Sequence, residues 1–150
     1  MQYSNLLHEA EHHGISIYEM PMTQGIKGLY NDKIVWINKH LPTFTEKTCI
    51  VAEELGHYYT SVGNVLDQTK LSNRKQEKLA RTWAYQKLIP LRLIVQAYKK
   101  GASNRYELAE FLGVTEGFLD SALERYREKY GTYAVVDGYT LCFDPLGIVD

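Results

Sequence analysis

One stretch constrains the chain more than any other. It is Cys49-Ile50-Val51-Ala52-Glu53-Glu54-Leu55-Gly56-His57-Tyr58-Tyr59, an apolar helical run with two adjacent carboxylates and a histidine set into it. On a helix, positions i and i+4 lie one above the other, so Glu53 and His57 project from the same face, with Glu54 about 100° further round. No Lys or Arg occurs from Thr48 to Thr69, so neither glutamate has a cationic neighbour close to it in sequence. A buried carboxylate needs a partner, and a metal ion is the obvious candidate.

A chain of 150 residues, 45% of them hydrophobic, has the size of one ordinary domain, and residues 1–150 are expected to form a single globular unit. The formal net charge of -1 offers no general attraction to nucleic acid or anionic lipid. No apolar run approaches the roughly 18 residues of a membrane span, and Met1-Gln2-Tyr3-Ser4-Asn5 lacks the basic start of a signal peptide. A soluble, cytoplasmic protein is expected, in which Cys49 and Cys142 are small core residues rather than a disulfide.

Residues 3–13 read as a helix ended by Gly14. It contains a literal HExxH, His8-Glu9-Ala10-Glu11-His12, the pattern of zinc peptidases. Charged Glu11 within it, and His13 and Gly14 after it, leave most faces of that helix solvated, so His8, His12 and His13 are assigned to the surface. Short β-branched and aromatic runs follow at 15–18, 26–30 and 33–37, the last two forming a hairpin across Asn31-Asp32. An edge strand of this sheet could pair with an extended substrate or simply cover the core.

Thr43-x-x-Glu46 is a capping box for the central helix, placed at 44–61, in which Ala52 and Gly56 leave a shallow groove for another helix backbone. A third helix spans 73–88 and stops at Pro90, with Glu77, Ala80, Ala84 and Leu88 on one stripe. Packing of its small residues against Ala52 and Gly56 would carry Glu77 towards Glu53 and His57. The alternative for Glu77 is an exposed i,i+4 pair with Arg81.

Beyond a short helix from Leu91, Asn104-x-x-Glu107 opens a helix through Leu112, and Gly113-Val114-Thr115 turns into a longer one through Tyr130, the outline of a helix-turn-helix. Residues 101–131 carry four positive against six negative charges. Glu116, Asp120 and Glu124 stand where a DNA reader would carry Arg, Asn or Gln, so the pair is given a packing role. Tyr133–Val136, Asp137-Gly138 and Tyr139–Phe143 form a terminal hairpin.

The segment Ala52-Glu53-Glu54-Leu55-Gly56-His57, with Glu77-x-x-Ala80-x-x-Trp83-Ala84 and Leu88-Ile89-Pro90 downstream, resembles the ImmA/IrrE family of metallopeptidases. Members typically read A-H-E-L-G-H on one helix and E-x-x-A-x-x-F/W-A on the next. The likeness extends over residues 3–130, and the Glu107–Thr115 segment shares in it. It implies an α+β, zincin-like fold, mostly helical, with a small antiparallel sheet, a C-terminal helix-turn-helix-like pair and a terminal β-hairpin. It also places Glu54 at the general base, His57 at the second metal ligand and Glu77 at the third. Glu53 stands where the family has its first histidine. A Glu, His, Glu set can bind Zn, and its extra carboxylate shifts preference towards Mn.

By that resemblance the chain is a metal-dependent endopeptidase that cleaves or antagonises a protein partner, such as a phage or mobile-element repressor. The alternative is a non-catalytic antagonist of a repressor on the same fold, and a weaker third reading is a DNA-binding regulator using residues 104–130. Tyr58 and Tyr59 are candidate oxyanion donors, and Asp67 is either a further ligand or a solvated loop acid.

Overall fold

The computed structural model describes residues 2–60 and 70–149, with backbone alone at 70–72. The chain divides into two compact units, Met1–Ala84 and Tyr85–Asp150. The architecture is α+β, with a three-stranded sheet in each unit. No helix is long and apolar enough to cross a membrane.

The first unit runs α1 (Gln2–His12), β1 (Ser16–Met20), β2 (Gly28–Asn31), β3 (Ile34–Asn38), α2 (Phe44–Thr60) and most of α3 (Lys70–Leu88). Helix α1 buries Tyr3, Leu6 and Ala10, and α2 buries Val51, Ala52, Leu55 and Gly56. Each fully buried aliphatic side chain contributes about 1.5–3 kcal/mol. Helix α2 starts as its sequence dictates, with the Glu46 amide donating to Thr43 Oγ1 at 3.1 Å.

The sheet order is β1-β3-β2, so β2 is an edge strand. Strands β2 and β3 form the expected antiparallel hairpin, but β1 pairs with β3 in parallel, and the sheet is mixed rather than antiparallel. The cause is that β3 carries the buried pair Val35 and Ile37 and so takes the centre. The hairpin turns at Asp32-Lys33, not at Asn31-Asp32, and both turn residues have positive φ, 42° and 63°. That is the backbone of a two-residue primed turn, here without a glycine.

The second unit contains the last turn of α3, then α4 (Leu91–Lys99), α5 (Arg105–Leu112), α6 (Glu116–Tyr130), β4 (Tyr133–Val136), β5 (Tyr139–Phe143) and β6 (Leu146–Val149). Asn104 and Thr115 cap α5 and α6 by accepting from the amides of Glu107 and Phe118. Gly113 ends α5 in the left-handed conformation, at φ 72°. Leu108, Leu112, Leu119, Leu123 and Leu141 form this unit's core, and the Tyr126 hydroxyl donates to the Ile89 carbonyl at 2.7 Å. The terminal hairpin exists as β4–β5, and β6 extends it to an antiparallel meander.

The groove at Ala52 and Gly56 is filled by α3. A Cβ at Gly56 would stand 2.8 Å from the carbonyl carbon of Ala80, with backbone on the other side of the contact and no flexible tip to yield. Gly56→Ala is therefore expected to destabilise the protein by about 1–3 kcal/mol. The measurement is the urea midpoint at unchanged slope, and an unshifted midpoint would show that the two helices do not touch there.

Candidate active site

Three elements supply the site. Helix α2 presents Glu54 and His57, α3 presents Asn73, Gln76 and Glu77, and β2 with its turn presents Gly28 to Asp32. Together they line a cleft of about 580 Å³. The closeness of Gly56 to Ala80 sets this up, because His57 follows that glycine and Glu77 lies almost one turn before that alanine. Gly28 serves a similar purpose on the sheet side, where a Cβ would meet Ile50 at 2.6 Å and crowd the Glu54 side chain.

His57 Nε2 and Glu77 Oε1 stand 3.0 Å apart. Two lone-pair donors approach so closely only with a proton or a cation between them. The imidazole is largely covered, with 18% of its side chain exposed, whereas Glu77 is half in solvent at 52%. The Tyr30 ring lies nearly parallel to the imidazole, at an interplanar angle of 7° with centroids 6.4 Å apart. Glu77 Oε2 also faces Arg81 Nε at 4.0 Å. Both sequence alternatives for Glu77 are thus realised at once, one on each carboxylate oxygen.

Glu53 departs from expectation. It does not line the cleft, and no three His, Cys, Asp or Glu side chains form a metal-holding group among the described residues. Nor is it without cations. Burial raises its pKa, and Arg81 opposes that rise most strongly, with Glu77 raising and Lys27 lowering it further. These cations come from α3 and from the segment before β2, which the Lys-free stretch around α2 could not reveal. Glu54, by contrast, is acted on among the described residues only by burial and by the negative charges of Glu53 and Glu77, which push it up to about 7.

The other candidates separate. His8, His12 and His13 are exposed, as expected of a solvated α1. Tyr58 and Tyr59 belong to an aromatic cluster away from the cleft lining: Tyr59 stacks on Trp83 at 4.6 Å and meets His13 edge-on at 5.3 Å. Asp67 lies outside the described residues. The tyrosine in the cleft is Tyr30, which the sequence reading passed over. Its signal was available, since the hairpin pairs it with Val35 and so turns it to the buried face of the sheet.

This arrangement of helix, edge strand and second helix coincides with a family match. The model for peptidase family M78, the IrrE N-terminal-like domain, matches residues 10–124. The chain belongs to this IrrE-like peptidase family. A search of curated proteins returned no significant match. The match includes all of α2 and α3 and continues through α5 into α6, so the helix-turn-helix-like pair is largely within the family's span.

In this IrrE-like family member, the raised Glu54 pKa links proton binding to stability. Between the unfolded value of 4.5 and about 7, the folded protein holds the proton more tightly than the unfolded chain. Folding stability is then fully favoured by Glu54 below pH 4.5 and is lost as pH rises through that window. Glu54→Gln, which mimics the protonated side chain, is expected to stabilise the chelator-treated protein by on the order of 1–3 kcal/mol at pH 8 and to change nothing at pH 4. Denaturant unfolding at the two pH values checks this. An equal effect at both would mean that the carboxyl is not held protonated.

Proposed function

We propose that this protein is a metal-dependent endopeptidase acting on a protein partner, with zinc, or alternatively manganese, held by His57, Glu77 and Glu53. The observation that carries the reading is the approach of His57 Nε2 to Glu77 Oε1 beside a carboxylate, Glu54, on which no cation acts among the described residues. Two donors on one tetrahedral ion are separated by roughly 3.3 Å, and the 3.0 Å observed needs little change to accept one. An imidazole with carboxylate oxygens is also the donor chemistry that zinc and manganese take. Glu53, one turn before His57 and within the electrostatic influence of Glu77, is the third donor in this reading.

The ion would supply Lewis acidity to the scissile carbonyl. The chain's own residues do the rest. Glu54, with a pKa of about 7, is poised to take a proton from the attacking water and return it to the leaving amine. The free edge of β2 borders the cleft, so an extended peptide could add to the sheet with its backbone passing Glu54. A repressor of a phage or mobile element fits the family and is the partner we propose to test first.

One observation favours a second reading, a non-catalytic antagonist that holds its partner without cutting it. Glu53 has Arg81 and Lys27 close enough to act on it, and the three proposed donors do not yet form one cluster among the described residues.

The test compares wild type, Glu54→Gln and His57→Ala for bound metal and for cleavage of a candidate repressor. Glu54→Gln is expected to keep its metal and lose at least about 100-fold in cleavage rate, while His57→Ala loses both. Wild-type protein that binds the repressor and leaves it intact with metal present would decide for the antagonist.

A further inference from the structure

We infer that a protein segment adding to the free edge of β2 is selected by an apolar side chain opposite Leu29, on the face of the sheet turned away from the cleft. This rests on the strand addition described above and holds whether the partner is cut or only held. It names what the partner must present: an extended stretch in which an apolar residue stands between two residues that face the cleft.

The hydrogen-bond register decides which groups β2 offers. The Asn38 amide donates to the Lys27 carbonyl at 2.9 Å, and antiparallel pairs alternate between bonded and unbonded. In the register that sets Leu29 opposite Trp36 and Asn31 opposite Ile34, Leu29 and Asn31 therefore turn their backbone groups to β3. Gly28 and Tyr30 turn theirs to the open edge, beyond which no strand lies among the described residues. An added strand bonds to Gly28 and Tyr30, and each of its residues shares a face with the β2 residue it stands opposite. Those opposite Gly28 and Tyr30 lie on the α2 side, where a Cβ at Gly28 would meet Ile50 and approach Glu54. The one opposite Leu29 lies on the other side.

That side is apolar. Leu29 is 49% exposed and ends a row that runs Tyr18, Trp36, Leu29 across all three strands. Edge strands ordinarily carry a charge or a proline that discourages pairing with another chain. The four residues of β2, Gly28 to Asn31, include neither. Tyr18, at 54% exposed, belongs to the same row but lies two strand spacings from β2, about 10 Å, on the opposite edge of the sheet. Leu29 is thus the residue whose exposed surface an added strand covers, and covering it favours an apolar neighbour over a charged one. The acid–base group and the selecting residue then act on opposite faces of one added strand, so partner choice is set without touching Glu54 or His57.

The experiment pans a phage-displayed library of random linear peptides against full-length protein carrying Glu54→Gln, and repeats the selection with Leu29→Ser, Leu29→Asp or Tyr18→Ser added. Selected peptides are expected to share an apolar residue at one fixed position. Affinity for the synthetic peptides is expected to fall on the order of tenfold in Leu29→Ser and to stay within about twofold in Tyr18→Ser. In Leu29→Asp the shared residue is expected to become Lys or Arg. Peptide binding is also expected to slow amide exchange at Gly28 and Tyr30, which adhesion to an apolar surface would not do. Peptides bound equally by the Leu29 variants, with Gly28 and Tyr30 still protected, would overturn the selecting role and leave the strand addition standing. No selected peptide, or none that protects those two amides, would overturn both. Failure of the catalytic reading shows separately, as peptides that meet these expectations, and so support the inference, yet are not cut by zinc-loaded wild type. Circular dichroism of each variant separates loss of binding from loss of fold.

Discussion

The carbonyl of Ala80 lies against Gly56 where no side chain would fit, and the rest of the first unit depends on that contact. It brings α3 onto α2 at backbone distance. Because His57 adjoins the glycine and Glu77 lies three residues before the alanine, the same contact brings an imidazole and a carboxylate within 3.0 Å. The buried stripe of Val51, Ala52 and Leu55 fixes α2 in the unit's core, and Gly28 lets β2 approach the same helix. The cleft between them follows from two missing side chains rather than from any large rearrangement of secondary structure.

Electrostatics then divides the two adjacent glutamates. They are neighbours in sequence and both are partly buried, yet Glu53 is acted on by cations from α3 and from the segment before β2, whereas among the described residues Glu54 is acted on only by burial and by other carboxylates. Burial raises the proton affinity of both, opposed at Glu53 by Arg81 and Lys27 and unopposed at Glu54 among the described residues. Those surroundings raise Glu54 to about 7, in the range a general base needs. Here the division is made by residues outside α2.

Much of this was legible in the sequence. The capping residues Thr43, Asn104 and Thr115, the left-handed Gly113 and the Asp137-Gly138 turn are local signals, and local geometry honours them. The approach of α3 to α2 was legible because small residues on both helices leave one way to pack. The parallel pairing of β1 was not, because it depends on β3 winning the central position through Val35 and Ile37, a competition among strands that no single strand reveals. Strand β6 was hidden by Pro145 and Gly147, residues that break a strand pattern without preventing a short edge strand. Within the site, the cationic neighbours of Glu53 were missed because the search for them stayed on one stretch of chain, and charge acts through space. Tyr30 was missed because its chemistry comes from its face of the hairpin and not from a motif.

The proposed function places the metal ion on the α2–α3 donors and not on the exposed HExxH of α1. X-ray absorption at the zinc edge of untagged, zinc-loaded protein tests it most directly. One imidazole nitrogen, that of His57, with oxygen donors making up the remainder of the shell, is the expected result. Two imidazoles in the shell would contradict it and place the ion on His8 and His12.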